Sequence, residues 1–251
     1  PPMDLPTMIE YGHRLVAAAL AVLVFALAAK AVLAARRGDP AWGALRRYSL
    51  AAVVLLVIQI FLGAVTVWLE LPPTSVILHM GTAMLLLATL IAATCAALSS
   101  RSSRLRDRGS RLAWAAAGLG FVVVLAGALV ANLDAAPACQ GFPLCNGELL
   151  PSDNPKVILH WFHRTAAYLL FALCLALPWM MGRLRAGDRA VRQLAVGAAI
   201  LVVLQVAVAA DMIMRSLLPG PRVIHVGLGA SVFAALVALG WFAARPTDSA
   251  A

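Results

Sequence analysis

The chain has 251 residues, 63% of them apolar and 12% charged, with a net charge of +9 and a mean hydropathy of +0.91. A soluble domain of this length needs far more polar side chains to cover its core, so the composition points to lipid as the solvent. The positive charge does not describe a nucleic-acid surface, because most Lys and Arg lie in three short segments between apolar runs: Arg36 to Arg47, Arg101 to Arg111, and Arg183 to Arg192.

Pro1 to Pro6 carries neither the basic nor the apolar region of a cleavable signal. The sequence opens on Pro1 rather than Met, and we expect it to begin inside a longer chain. The first apolar run, near 8–35, has Glu10, His13 and Arg14 at its head. The second, near 48–69, carries Gln59, and the third, near 75–98, carries His79. A fourth, near 112–133, ends at Asp134 and leads into a long loop, 134–155, with Cys139 and Cys145 in the run ACQGFPLCNG. The fifth, near 156–182, has His160, His163 and Arg164 in its first turns. The sixth, near 191–215, carries Gln205 and Asp211, and the seventh, near 222–244, carries His225.

Each run reaches the roughly 20 residues that cross a bilayer at 1.5 Å per residue. Backbone groups in hydrocarbon must be satisfied internally, so each is expected to be a helix. The fold class is therefore an all-α polytopic membrane protein with seven transmembrane helices visible. The basic loops follow the first, third and fifth helices and mark the inner side. The N-terminus, the 70–74 loop, the 134–155 loop and the 216–221 loop then face outward, and Ala244 to Ala251 returns inside. Cys139 and Cys145 share a loop on the oxidising side and are expected to pair. Cys95 and Cys174 read as small apolar fillers. Trp68, Trp161, Trp179 and Trp241 fit an interfacial aromatic belt.

The sequence repeats itself. IEYGHRLVAAAL, from Ile9, resembles LHWFHRTAAYLL, from Leu159, and each puts a His-Arg pair at the outward end of a helix. QIFLGAVTV resembles QVAVAADMI, and Gln59 precedes His79 by the same 20 residues that separate Gln205 from His225. Duplicated membrane bundles leave symmetry of this kind. The second half has a helix and a Cys loop ahead of its His-Arg helix. The first half has none, so one helix and one outer Cys loop are expected to precede Pro1.

His13, His79, His163 and His225 fall at one membrane depth near the outer face. A single His in a membrane helix is commonly a satisfied interior residue, but four at one level call for a shared role. Zinc would need further Cys or carboxylate ligands in a compact cluster. Haem iron needs one or two axial ligands, and two His from facing helices supply them. Arg14 and Arg164 are candidates to pair with haem propionates, with snorkelling to headgroups as the competing role. Glu10 stands three residues before His13 on the same face, where the second half has His160. A carboxylate there can move a proton or stabilise positive charge, or it can simply favour the helix N-terminus. His160 reads as a third ligand, a supporting hydrogen-bonding residue or an interfacial one, the last two being favoured. Asp134 and Asp211 sit at outer helix ends, in reach of headgroups or, for Asp211, of Arg215. Gln59 and Gln205 are expected to face the interior and to hydrogen-bond between helices.

These residues resemble the haem A synthase family. The resemblance rests on Glu10-Tyr11-Gly12-His13-Arg14, which matches the family's E-x-x-H-R element, on His79, His163-Arg164 and His225, and on the run Cys139 to Gly147. It spans nearly the whole chain. It implies two pseudo-twofold-related helical bundles, eight helices in all, of which the first is not in this sequence. Residues 1–105 would be the N-terminal half with the substrate haem site, and residues 106–251 the C-terminal half with the cofactor haem site. By resemblance, His13 and His79 flank the substrate haem, Glu10 is the catalytic carboxylate, and His163 and His225 ligate a haem b. Cys139 and Cys145 match the family's outer disulfide.

The implied reaction is oxidation of the C8 methyl of haem O to the formyl group of haem A, through hydroxylated intermediates, with water as the oxygen source. The implied setting is a bacterial cell (inner) membrane, with the His sites on the outer, periplasmic side. A membrane haem O synthase (protohaem farnesyltransferase) and oxidase assembly factors are the implied partners, the chain serves terminal oxidase biogenesis, and no nucleic acid is involved. The alternative is a dihaem b-type electron-transfer protein, which uses the same four His and gives Glu10 no task. A transporter fits least, because the His lie away from the midplane.

Overall fold

The computed structural model describes residues 5–38, 42–98, 107–215 and 217–245. Among these are seven long helices: α1 (Leu5–Arg36), α2 (Trp42–Trp68), α3 (Pro73–Leu98), α4 (Arg108–Asn132), α5 (Pro155–Leu184), α6 (Arg189–Met214) and α7 (Pro219–Ala243). All seven are long and apolar enough to cross a membrane, and the chain is a multi-pass membrane protein.

The helices begin where sequence chemistry allows. Pro73, Pro155 and Pro219 open α3, α5 and α7, where the missing N–H costs nothing. Asp107 caps α4 through the Ser110 amide at 2.8 Å, and Asp188 caps α6 through the Val191 amide at 3.1 Å. Helix α2 starts six residues before the expected position 48. Arg46 and Arg47 lie in this added stretch and not in the inner loop: both are exposed, and their long aliphatic stems let the helix continue into the interface while their charges reach water.

Helices α4 to α7 close into a ring in which α4 contacts α5 and α7, and α6 contacts α5 and α7. Its core joins Leu177, Leu236, Leu239 and Val191 to the alanines Ala113, Ala116, Ala117, Ala195 and Ala198. Small residues bring backbones close, which is how helices associate where lipid removes the hydrophobic drive. Helices α1, α2 and α3 run in series, α1 on α2 and α2 on α3, around Val24, Ala52, Leu56 and Leu86. Helix α3 joins the two groups through α4 and α7. The expected boundary at 105/106 lies outside the described residues, as do parts of the basic segments 36–47 and 101–111 and the end of 244–251.

At the end of the bundle away from the histidines, the buried Arg185 pairs with Asp107 at 2.7 Å and donates to the Arg245 carbonyl at 2.9 Å. It ties together the ends of α5, α4 and α7. Cys95 and Cys174 are buried free thiols. Trp68 and Trp179 are exposed to the surroundings, as an aromatic belt requires, but Trp241 is only 4% exposed and meets Tyr48 edge-on at 5.3 Å. It is an interior residue packed with Ala92, Cys95 and Ala96 of α3, not a belt residue.

Candidate functional site

Helical rise fixes the depth of the four histidines. His13 and His163 each stand eight residues past the start of α1 and α5, and His79 and His225 each stand six past the start of α3 and α7. At 1.5 Å per residue that is about 12 Å and about 9 Å. Odd-numbered helices of an up-and-down bundle share a starting side, so all four lie at one end. His163 lies within charge–charge range of His225, and His79 of His13.

The C-terminal pair is the better enclosed. His163 Nδ1 lies 3.1 Å from the Val123 carbonyl of α4 and donates to it. That bond fixes the tautomer and leaves Nε2 with its lone pair, the arrangement by which proteins orient a metal-binding imidazole. The ring approaches because Gly127 has no side chain: a β-carbon there would stand 2.9 Å from His163 Cε1. His225 Nε2 faces the Gln205 amide nitrogen at 3.4 Å. In the N-terminal half, His79 Nε2 faces the Gln59 amide nitrogen at 3.1 Å, and a β-carbon on Gly63 would meet His79 Cε1 at 3.1 Å. Both glutamines face the interior and bond between helices, as expected.

The His-Arg elements differ between the halves. Arg164 is buried, and its Nε donates to His160 Nε2 at 3.3 Å. Nη1 donates to the carbonyls of Gly141 and Leu144 at 2.8 and 3.0 Å, and Nη2 to that of Cys139 at 2.7 Å. His160 is buried in turn, its Nδ1 donating to the Ala135 carbonyl at 3.1 Å. This residue is therefore a supporting donor for the loop and not an interfacial residue. The outer loop is closed by the Cys139–Cys145 disulfide and held further by Tyr168 on the Pro143 carbonyl at 2.6 Å and Trp161 on the Leu149 carbonyl at 2.8 Å. In the N-terminal half, Glu10 and Arg14 form an ion pair at 2.5 Å with side chains 54% and 64% exposed. His13 beside them is exposed as well. Asp211 pairs with Arg215 at 2.6 Å, while Asp134 stands exposed at the end of α4.

What group do these residues fit? No cluster of three or more His, Cys, Asp or Glu occurs among the described residues, so a compact zinc site lacks its ligands. Paired imidazoles on facing helices suit haem iron. Among the described residues, eight buried side-chain N or O atoms have no hydrogen-bond partner. Four of them are His79 Nδ1, Gln59 Oε1, His225 Nδ1 and Gln205 Oε1. These four atoms belong to the two glutamine–histidine pairs, where a water or a bound group could satisfy them.

Sequence reasoning missed Gly63, Gly127 and the Val123 carbonyl. Glycines are frequent in membrane helices, and nothing in their spacing flags those that admit an imidazole. It also missed Tyr168 and Trp161 as loop anchors, because their partners are backbone carbonyls.

The family model COX15-CtaA, described as cytochrome oxidase assembly protein, matches residues 4–241. Heme A synthase from Alkalihalophilus pseudofirmus is 31% identical over 185 residues, 71% of this chain and 61% of that protein. Heme A synthase from Symbiobacterium thermophilum is 31% identical over 238 residues, 91% of this chain and 76% of that protein. Part of a protoheme IX farnesyltransferase from Halobacterium salinarum, 28% of its length, is 35% identical to 134 residues here. The matched stretches thus cover between 54% and 76% of the length of these and similar haem A synthases.

Proposed function

The chain belongs to the COX15-CtaA family of cytochrome oxidase assembly proteins, and on that premise we propose that it is a haem A synthase. It oxidises the C8 methyl of haem O to a formyl group through hydroxylated intermediates, with water supplying the oxygen while four electrons and four protons leave, the electrons to an external one-electron acceptor. The observation that carries this reading is the duplicated pair of histidines with a carboxylate in only one copy. Glu10 lies one turn from His13, and His160 holds that position in the other half.

His163 and His225 would hold a haem b as resident cofactor, a one-electron carrier when bound. His13 and His79 would hold the substrate haem. The assignment of residues 1–105 to the substrate half and 106–251 to the cofactor half follows from that difference. Glu10 is the catalytic carboxylate. Beside a carbon that develops positive charge it supplies a fixed negative charge, and it can take the proton of the attacking water. Arg14, exposed at the same end, holds Glu10 and is placed to meet a propionate. Arg164 has one Nη2 hydrogen beyond its loop contacts for the same purpose.

The positive-inside rule puts the histidines and the disulfide loop on the outer, periplasmic side of a bacterial inner membrane. Haem O reaches the site from a protohaem farnesyltransferase. The stretch shared with the Halobacterium salinarum farnesyltransferase supports that association.

The deciding experiment is mass analysis of haems extracted from protein expressed with a haem O source, wild type against Glu10→Gln. Haem A or its hydroxylated precursor in the wild type, with haem O accumulating in the variant, is the expected result. Haem b alone in both would overturn the reading in favour of an electron carrier.

A further inference from the structure

Gln59 and Gln205 have no part in the chemistry above, yet each meets a histidine of its own half in the same way. We propose that Gln59 competes with iron for the axial nitrogen of His79, so that the haem site of the N-terminal half releases its occupant readily. This inference rests on His79 being a haem ligand.

Gln59 on α2 approaches His79 on α3 with its amide nitrogen 3.1 Å from Nε2. An amide N–H only donates, so Nε2 accepts through its lone pair and the ring proton sits on Nδ1. That nitrogen is buried without a partner, so no second bond fixes the ring in competition with Gln59. A neutral imidazole ligates iron through the same single lone pair. The hydrogen bond and the iron bond therefore exclude each other, and an iron that leaves is replaced by an internal donor already in place. The ring cannot move far from that donor on the α2 side, because the α2 backbone at Gly63 already lies against Cε1.

The C-terminal half carries the same device in a weaker form. Gln205 stands 3.4 Å from His225 Nε2, near the limit of a hydrogen bond. The backbone at Gly229 lies against the Gln205 amide nitrogen, where a β-carbon would approach to 3.3 Å. Its partner histidine, His163, instead spends Nδ1 on the Val123 carbonyl. That arrangement strengthens Nε2 as a ligand and does not contest it. The order of distances matches the order of need: a substrate site must exchange its haem at every turnover, and a cofactor site must keep it.

The ordinary role for such a glutamine is to hold the ring in position for ligation. The two roles predict opposite changes. Losing a positioning residue loosens the haem, whereas losing a competitor retains it.

The test uses the protein loaded with haem O during expression and follows transfer of that haem to excess apomyoglobin by absorbance. Gln59→Met keeps the side-chain volume and removes the donor. A net hydrogen bond of about 0.5–1.5 kcal/mol corresponds to roughly two- to tenfold slower release. Gln205→Met is expected to slow release of haem b by a smaller factor. Release at the wild-type rate or faster overturns the proposal. Gln59→Ala is measured alongside, and the variant that keeps wild-type helicity by circular dichroism decides. His79→Ala separates this failure from failure of the functional reading. If it releases haem O at the wild-type rate, His79 is not a ligand and the site assignment itself is wrong.

Discussion

Arg164 donates through Nε to His160 Nε2 at 3.3 Å, one helical turn away, in the place where the other half pairs Arg14 with Glu10. The duplicated element thus keeps its geometry while its chemistry diverges. In the C-terminal half the arginine is buried against the disulfide loop and its neighbour is a neutral imidazole. In the N-terminal half the pair is exposed and the neighbour is a carboxylate, the group proposed above to act on the substrate. The same i, i+4 contact joins a buried anchor in one half and an exposed ion pair in the other.

Arg164→Lys should therefore release the outer loop. A single ammonium cannot reach the carbonyls of Cys139, Gly141 and Leu144 together with His160, and each lost charge-assisted bond leaves a carbonyl to find water. The expected cost is about 2–4 kcal/mol. Hydrogen exchange over residues 138–148 in detergent should rise well above wild type. Unchanged protection there would show that the disulfide and Tyr168 hold the loop without Arg164.

Gly127→Ala tests the approach of His163. The added methyl would stand 2.9 Å from the ring, so the imidazole must turn away from the Val123 carbonyl. Alanine is the better helix former by about 1 kcal/mol, so the helix itself gains. Haem b content per protein is expected to fall several-fold while helicity stays the same. Full haem content in a well-folded variant would remove His163 from the ligand set or show that the ring has room to shift.

The seven helices were legible because lipid imposes an all-apolar pattern that no other environment selects. The glutamines were expected to hydrogen-bond between helices, and the structure supplies the partners that the sequence did not name, His79 for Gln59 and His225 for Gln205. What sequence did not reveal is where a polar side chain finds backbone. Arg164 meets four acceptors, three of them carbonyls about 20 residues upstream, and any residue type could provide them. Trp241 was misassigned for a related reason. An indole near a helix end is read as interfacial, and only the packing of Tyr48 against it shows that it is enclosed. The start of α2 was missed because arginines in a helix end and arginines in a loop look alike.

The disulfide closes a short loop, with six residues of separation between Cys139 and Cys145. Loop-closure entropy for such a ring amounts to about 2 kcal/mol. Replacing both cysteines with serine should lower stability by that order and leave the loop attached through Arg164, Tyr168 and Trp161. Thermal melting in detergent, with and without reductant, checks it. Reductant should move the wild type to the melting point of the double variant. A loss much larger than this would mean that the loop contacts form only when the ring is closed.

The far end of the bundle offers a test of what a buried ion pair contributes. Arg185 is 3% exposed while its partner Asp107 is 49% exposed, so the two are unequal. Removing the aspartate charge strands a guanidinium away from water, with Nε already unpartnered, and the Arg245 carbonyl is then its remaining acceptor. Removing the arginine leaves a carboxylate that water can reach and that still caps α4 through Ser110. Asp107→Asn keeps a capping side chain, because asparagine caps helices as well as aspartate does, and so isolates the charge. We expect Asp107→Asn to cost about 2–3 kcal/mol and Arg185→Met, which fills the same space with an apolar chain, about 1–2 kcal/mol. Asp107→Ala should cost about 1 kcal/mol more than Asp107→Asn, because it also removes the cap. Thermal melting of the three variants in one detergent gives the order. If Arg185→Met proves the most damaging, the guanidinium acts mainly by joining the ends of α4, α5 and α7, and its charge is secondary.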